Sequence, residues 1–215
     1  MLLYGSFVDL NGEQMPAGAW IAHAEVEPKL EEYASALQHL WEWPQGAEVV
    51  EQCGYSLLLT DFLGMGLPYK QRLELITNAL RAILEIAPCQ ALYWCSSEKL
   101  VDPQHYLEQV AQGQILHGAL NMRFFNIQPE GSGRIVMDTV GLAALGVQDI
   151  QCDFHNLDSD MVAEFLFQAA HYLYENGDII KDGNSFGLNA EQRWTCQHDI
   201  SLISPQRLVL DLKPS

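Results

Sequence analysis

Two short motifs in this sequence have the spacing of a serine nucleophile. Residues 183–187 (GNSFG) match the G-x-S-x-G pattern of a nucleophile elbow, and residues 96–99 (SSEK) match the S-x-x-K pattern of a serine with a lysine base. An elbow needs a long helix directly behind the serine, and too little chain separates Gly187 from the next predicted strand. A lysine base must lie one helical turn from its serine, whereas residues 96–99 end a predicted strand. We interpret both motifs as chance spacings, and the sequence leans against an enzyme.

A pair of glycines lies where phosphate-binding loops are found. Gly64 and Gly66 separate a predicted strand from a predicted helix, and two basic residues, Lys70 and Arg72, follow closely. The third glycine of a dinucleotide motif is missing, and the carboxylate of Asp61 opposes an anion. A tight turn between strand and helix is the better interpretation, and no cofactor is predicted.

Carboxylates and one imidazole gather near the end of another predicted strand. Asp153 and His155 alternate along this strand and share a face, and Asp158 follows just beyond its end. Such donors suit a divalent cation. Asp158 also has the position of a helix N-cap, and the helix dipole favours the carboxylate of Asp160. The helix cap is the favoured interpretation, so no metal ligand is assigned.

The helix that follows carries polar residues along one predicted face. Glu164, Gln168, His171 and Glu175 recur at helical spacing, which a solvated amphipathic helix explains. This face, together with the carboxylates and the imidazole before it and Asp178 after it, is the part of the surface that we would test first for a ligand. The candidates for binding a partner or a cation are Asp153, His155, Asp158, Glu164, His171, Glu175 and Asp178.

The first half of the chain alternates strand and helix signals. The predicted order is strand 18–26, helix 30–41, strands 48–53 and 55–62, helix 69–87 and strand 90–95. This β-α-β-β-α-β order is ferredoxin-like, with helices packed mainly on one face of a sheet.

The second half continues with further strands and one long amphipathic helix. The predicted elements are a short helix from Asp102, strands 121–127 and 134–138 across a Gly-Ser-Gly turn, strand 149–155, helix 159–175, a hairpin joining 178–181 to 184–186 at Asp182-Gly183, and strands 193–198 and 207–212. We therefore predict an α+β fold with a mixed, largely antiparallel sheet. A single domain over residues 1–215 is expected, with pseudo-halves at 1–100 and 101–215.

Composition and charge narrow the classes of partner. The chain has 215 residues, of which 48% are hydrophobic, and a net charge of −17. Two acidic blocks, residues 1–69 and 138–182, contribute −9 and −8. Such a field repels nucleic acid and anionic membranes and attracts cations or a basic protein, although acidity also aids solubility. Five cysteines without a CxxC pair, and no long apolar stretch or signal peptide, predict a cytoplasmic protein.

Five segments of the chain resemble a bacterial family catalogued as domain of unknown function 4261. They are TDFLGMGLPY (60–69), ALYWCSSEKLVDPQHY (91–106), RIVMDTVGLAALGVQDIQCDFHNLD (134–158), HYLYENGDIIKDGNSFG (171–187) and SPQRLVLDL (204–212). The runs ENGDIIKDG and MDTVGLAALG are the most specific, and the resemblance extends mainly over residues 55–212. It implies a shared fold and a bacterial cytosolic protein, but no activity, because none is established for the family.

The charge and the failure of the catalytic motifs predict a non-enzymatic binding protein that engages a basic protein partner. By analogy, an immunity-type role, in which the protein neutralises a toxin, fits the same charge logic. The alternative is an enzyme that binds a small molecule or a metal through Asp153, His155 and Asp158, or through the loop at Gly64–Gly66. A homo-oligomer is also compatible with the sequence.

Overall fold

A computed structural model describes residues 2–24, 27–127, 133–187 and 193–214. The chain forms two compact units, which we call unit 1 (Met1–Trp94 and Lys99–Gly118) and unit 2 (Cys95–Glu98 and Ala119–Ser215). Helices and strands occur in both, and the α+β class is confirmed. In the described ranges, no helix is both long enough and apolar enough to cross a membrane.

Unit 1 begins with a three-stranded antiparallel sheet in the order β1-β2-β3. The strands are β1 (Leu2–Leu10), β2 (Glu13–Ala24) and β3 (Ser56–Phe62). β1 and the first part of β2 were not predicted. They are joined at Asn11 and Gly12, which both have positive φ, and the side chain of Asp9 accepts a hydrogen bond from Gly12 N at 2.9 Å. Positive φ at both central residues is the geometry of a two-residue hairpin turn.

Two short helices lie between β2 and β3. They are α1 (Ala34–Leu37), preceded by a 3-10 turn at Leu30–Tyr33, and α2 (Gly46–Glu51). The strand predicted at residues 48–53 is therefore wrong. The β-branched Val49 and Val50 suggested it, but Val50 packs with Ala36 and Leu100 in a buried cluster, and tertiary packing overrides the local preference.

The long helix α3 (Tyr69–Ile86) follows β3 through a 3-10 turn at Gly64–Gly66. A Cβ on Gly64 would lie 1.8 Å from Oδ2 of Asp61, so the backbone needs glycine for this approach. Arg72 Nε donates to the same oxygen at 2.7 Å. The carboxylate of Asp61 therefore occupies this loop and pairs with Arg72. This agrees with the interpretation of the glycines as a tight turn, because a bound anion would need the same position and the same arginine.

The remaining part of unit 1 is a small hairpin and a helix. The strands β4 (Leu92–Trp94) and β5 (Lys99–Val101) pair with each other, and α4 (Pro103–Ala111) follows directly. Their apolar side chains form one cluster with α3, which includes Leu84, Leu92, Val101 and Tyr106.

Unit 2 contains a six-stranded sheet in the order β6-β7-β8-β11-β10-β9. The strands are β6 (Asn121–Asn126), β7 (Arg134–Val140), β8 (Asp149–His155), β9 (Ser185–Gly187), β10 (Arg193–Ile200) and β11 (Leu208–Lys213). β8 and β11 are parallel, and the other neighbouring strands are antiparallel. This confirms a mixed, largely antiparallel sheet. Most of the turn predicted between β6 and β7 lies outside the described residues.

The helix α5 (Ser159–Asn176) contacts β7 and β8 through its apolar side. Phe165 is fully buried and stacks on Trp194, with 3.9 Å between the ring centroids. This confirms the amphipathic helix predicted at residues 159–175, because its buried positions recur with a period of about 3.6 residues.

The hairpin predicted between residues 178–181 and 184–186 is wrong, although its turn exists. Asn184 N donates to the carbonyl oxygen of Lys181 at 2.9 Å, and Gly183 has a φ of +79°. The turn forms backbone hydrogen bonds with β10 instead: Gly183 N donates to Cys196 O, and Cys196 N donates to Asn184 O. β9 therefore pairs with β10, and residues 178–181 form no strand.

Candidate functional site

Six of the seven candidates from the sequence lie on or beside two elements of unit 2, at the end of β8 and along α5. Asp153 and His155 are two residues apart on β8, as predicted. Asp153 accepts from Arg134 Nε at 3.0 Å, and this pairing raises the pKa of the guanidinium. Its carboxylate therefore already holds one cationic group.

Asp158 caps α5. Its Oδ1 accepts a hydrogen bond from Met161 N at 2.9 Å, which is the capping interaction predicted for this position. The structure does not bring Asp153, His155 and Asp158 together as a group of three donor atoms, so a metal enzyme built on them stays a prediction without geometric support.

The outer side of α5 carries the next candidates, Glu164, His171 and Glu175. Asp160 and Phe167 lie on the same side, and we call the five residues together the α5 stripe. Positions four and seven or eight residues apart lie on one side of a helix. Glu164 accepts from Gln168 Nε2 at 2.7 Å, and His171 Nδ1 lies 3.0 Å from the carbonyl oxygen of Phe167. The phenyl ring of Phe167 is 39% exposed. The stripe thus places carboxylates beside a partly exposed aromatic ring.

The last candidate, Asp178, follows α5. It accepts from Gln148 Nε2 at 3.1 Å and lies 3.8 Å from His198 Nε2. His198 Nδ1 also lies 2.6 Å from Oδ1 of Asp182, and hydrogen bonds from His198 lower the pKa of that carboxyl. The imidazole is therefore bracketed by two carboxylates.

The serine of the G-x-S-x-G motif does not have the setting of a nucleophile. Ser185 begins β9, and its Oγ accepts from Arg193 Nε at 3.1 Å. An arginine can only donate, so it cannot take up the proton of the hydroxyl. The interpretation of this motif as a chance spacing agrees with that geometry.

A network of buried charges, which the sequence did not predict, joins three strands of unit 2. Arg123 on β6 donates from Nε and Nη2 to both carboxylate oxygens of Asp138 on β7, at 2.9 and 2.6 Å. Arg207, just before β11, donates to the same Asp138 at 2.9 Å and to Asp149 on β8 at 3.1 Å. The pair is sealed from solvent, with Arg123 2% and Asp138 0% exposed.

Asp149 is the second anchor of this network. Its Oδ1 accepts from Leu142 N at 3.1 Å and from Thr139 Oγ1 at 3.2 Å, so it holds the turn that joins β7 to β8. Burial raises the pKa of Asp149, opposed by Arg207 and by the backbone donors. These charges are fully engaged with one another, so we interpret the network as structural.

A third cluster, in unit 1, has the composition of a metal site. Donor atoms of Glu42, His105 and His117 all lie within 4.8 Å of one another, and the described residues contain no other such group of three. Lys99 Nζ lies 3.2 Å from Glu42 Oε2. Burial would raise the pKa of Glu42, but the charge of Lys99 and its hydrogen bond outweigh this and lower it.

The sequence contains no local signal for this cluster. Glu42 lies in an irregular segment after α1, His105 on α4 and His117 in the turn beyond it, so no short motif joins them. His105 and His117 are twelve positions apart, and α4 ends at Ala111 between them, so no single element carries both. Only the fold of unit 1 brings the three side chains together.

Comparison with known proteins identifies one family, over part of unit 2. Comparison with curated proteins gives no match, and comparison with solved structures gives none. The segment that matches the family runs from β7 to β11, and it includes α5, Asp138, Asp149 and Arg207. Residues 138–213 match the family model described as "Domain of unknown function (DUF4261)", which confirms over this segment the resemblance found in the sequence.

Proposed function

We propose that this protein is a non-enzymatic binding protein that engages a basic protein partner through the α5 stripe. The observation that carries the proposal is the composition of the stripe, which places three carboxylates and one partly exposed aromatic ring along a single rigid helix. Carboxylates attract lysine and arginine side chains, and an aromatic ring supplies an apolar anchor.

The net charge of −17 supports the same proposal. A strongly acidic protein attracts a basic partner over a distance of about one Debye length, roughly 8 Å at physiological salt, and this raises the rate of association. An immunity-type role, in which the partner is a basic toxin, is one form of the proposal. The resemblance to a bacterial family implies that the complex forms in the bacterial cytoplasm.

The buried charges of unit 2 support a binding role over catalysis. A catalytic acid or base must reach a substrate, and the two aspartates of the network are each sealed from solvent and paired with arginine. Their contribution is to hold β6, β7, β8 and the residues before β11 together.

The test is capture of the partner by two charge-reversed variants of equal net charge. Glu164→Lys with Glu175→Lys changes the α5 stripe, and Glu74→Lys with Glu85→Lys changes exposed positions on α3 in unit 1. The tagged proteins are incubated with host lysate at low and at high ionic strength, and bound proteins are identified by mass. We expect a stoichiometric basic protein on the wild type and on the α3 variant, lost from the α5 variant and released by salt.

Equal loss from both variants would mean that only net charge matters, and the stripe would not be the binding surface. Capture that is unchanged from low to high salt would contradict an electrostatic interface, and an eluate without a basic protein would contradict the proposal as a whole.

A further inference from the structure

The cluster of Glu42, His105 and His117 in unit 1 is independent of the α5 stripe and has its own chemistry. Two imidazoles and one carboxylate are a recurring ligand set for transition metals, in which three protein ligands leave coordination positions open. Hard cations such as Mg²⁺ and Ca²⁺ prefer oxygen ligands only, so the two imidazoles argue against them.

The fold fixes both histidines through the ends of α4. Asp102 caps this helix by accepting from His105 N at 2.7 Å, and this sets the position of His105 in the first turn. The chain turns back at Gly113, whose φ is +87°, and His117 N donates to the carbonyl oxygen of Gln114 at 3.0 Å. The two rings meet edge to face, with 5.1 Å between their centroids.

The residue after His117 shows how closely the backbone of this turn is packed. Gly118 has a φ of +92°, and a Cβ there would lie 2.3 Å from Nε1 of Trp94. The backbone of this turn is therefore pressed against the end of the β4–β5 hairpin. A ligand held on a rigid backbone loses little entropy when it binds an ion.

His117 offers a donor atom that the described structure leaves unused. Its Nε2 is buried and accepts or donates no hydrogen bond among the described residues. Burial, followed by the charge of Lys99, lowers the pKa of His117 to about 4. A buried polar atom without a partner is costly, and a bound ion would remove that cost.

We propose that Glu42, His105 and His117 bind a divalent transition-metal ion of the Zn²⁺ class, with at least one coordination position left open. Two donors bound to one ion at about 2.1 Å each lie no more than about 4.2 Å apart. The donors of the cluster, which lie within 4.8 Å of one another, need only small side-chain rotations to reach that limit.

Lys99 should weaken binding of the ion, and a variant of this residue therefore tests the proposal directly. Its ammonium, 3.2 Å from Glu42 Oε2, repels a divalent cation and competes for the same carboxylate. Removing this charge while keeping a hydrogen-bond donor, as in Lys99→Gln, should strengthen metal binding about tenfold. A cluster that is only an ion-pair network would show no metal binding to strengthen.

The experiment measures binding of Zn²⁺ by calorimetry and of Co²⁺ by its visible absorption, on the full chain freed of metal with a chelator. We expect one equivalent of metal on the wild type, and affinity at least about tenfold weaker for Glu42→Gln, His105→Ala and His117→Ala. His23→Ala, which removes an exposed histidine on β2 of unit 1, is the matched control and should bind as the wild type does.

Three results would overturn the proposal: a wild type that binds no stoichiometric metal, a Co²⁺ spectrum with the near-ultraviolet band of thiolate ligands, or equal binding by the wild type and the three variants. Weaker or unchanged metal binding by Lys99→Gln would show that the ion does not bind beside Lys99. Glu42 is exposed, so Glu42→Gln tests the site even where a histidine variant fails to fold.

Discussion

Two arginine–aspartate pairs of unit 2 have the same chemistry and opposite surroundings. Arg123 and Asp138 are 2% and 0% exposed, whereas Arg134 and Asp153 are 41% and 28% exposed. Both pairs join neighbouring strands at β7. Water stabilises the separated charges of an exposed pair but not those of a buried one, so the two pairs should differ greatly in what their loss does.

We expect Arg123→Met to lower the free energy of unfolding by about 3 kcal/mol, because Asp138 and Glu98 then lose a partner while Arg207 still holds Asp138. Arg134→Met is the matched control and should lower it by no more than about 1 kcal/mol. Urea denaturation of both variants measures the difference. Similar values for the two would show that burial does not decide the strength of these pairs.

At the scale of elements, two variants of Asp158 can distinguish helix capping from cation binding, since the position of this residue in the sequence suggested both roles. Its carboxylate accepts from Met161 N, so Asp158→Ala should lower the free energy of unfolding by about 1 kcal/mol. Asp158→Asn keeps an acceptor at the same place and should lie within a few tenths of a kcal/mol of the wild type. Thermal denaturation with and without Ca²⁺ measures both, and an effect of the ion on the wild type alone would contradict the capping role.

The elements that could be predicted from the sequence are those with a long and regular period. Residues 69–87 and 159–175 show helical spacing over many turns, and the structure has helices at Tyr69–Ile86 and Ser159–Asn176. The strand predicted at residues 48–53 failed because a short run with Val49 and Val50 fits either state. The Asn11-Gly12 pair is typical of a two-residue hairpin turn, so β1 could have been predicted from it.

The candidate sites divide in the same way. The polar residues of the α5 stripe could be predicted because one helix carries them, and a helix preserves its spacing in the sequence. The exposed Phe167 on the same side was not predicted. The cluster of Glu42, His105 and His117 could not, because an irregular segment, a helix and a turn each contribute one residue. The buried network could not either, since nothing in the sequence distinguishes Arg123 from Arg134 before the strands are paired.

At the scale of the whole molecule, the expectation of a single domain can be tested through one probe in each unit. Trp20, Trp41, Trp43 and Trp94 belong to unit 1, and Trp194 belongs to unit 2. In the variant Trp194→Phe, fluorescence therefore reports unit 1 alone. Cys152 is buried in unit 2, and burial raises the pKa of its thiol, so alkylation of Cys152 reports the opening of unit 2.

If the chain is one cooperative domain, the two probes should give the same urea midpoint. Fluorescence of the variant and pulsed alkylation of Cys152, read by peptide mass, are compared across the transition. Two separate midpoints would make the units two domains. The variant must first show the alkylation curve of the wild type, because Trp194 packs on Phe165 in the core of unit 2.

The position of β11 has a consequence for how the protein is made. This strand is the last of its sheet to be synthesised, and yet it lies between β8 and β10 and pairs with both. Until residues 208–213 leave the ribosome, β8 and β10 each present an unpaired edge, and such edges template association with other chains. The nascent chain therefore has an interval in which a chaperone that covers strand edges would protect it, and that interval closes when β11 inserts.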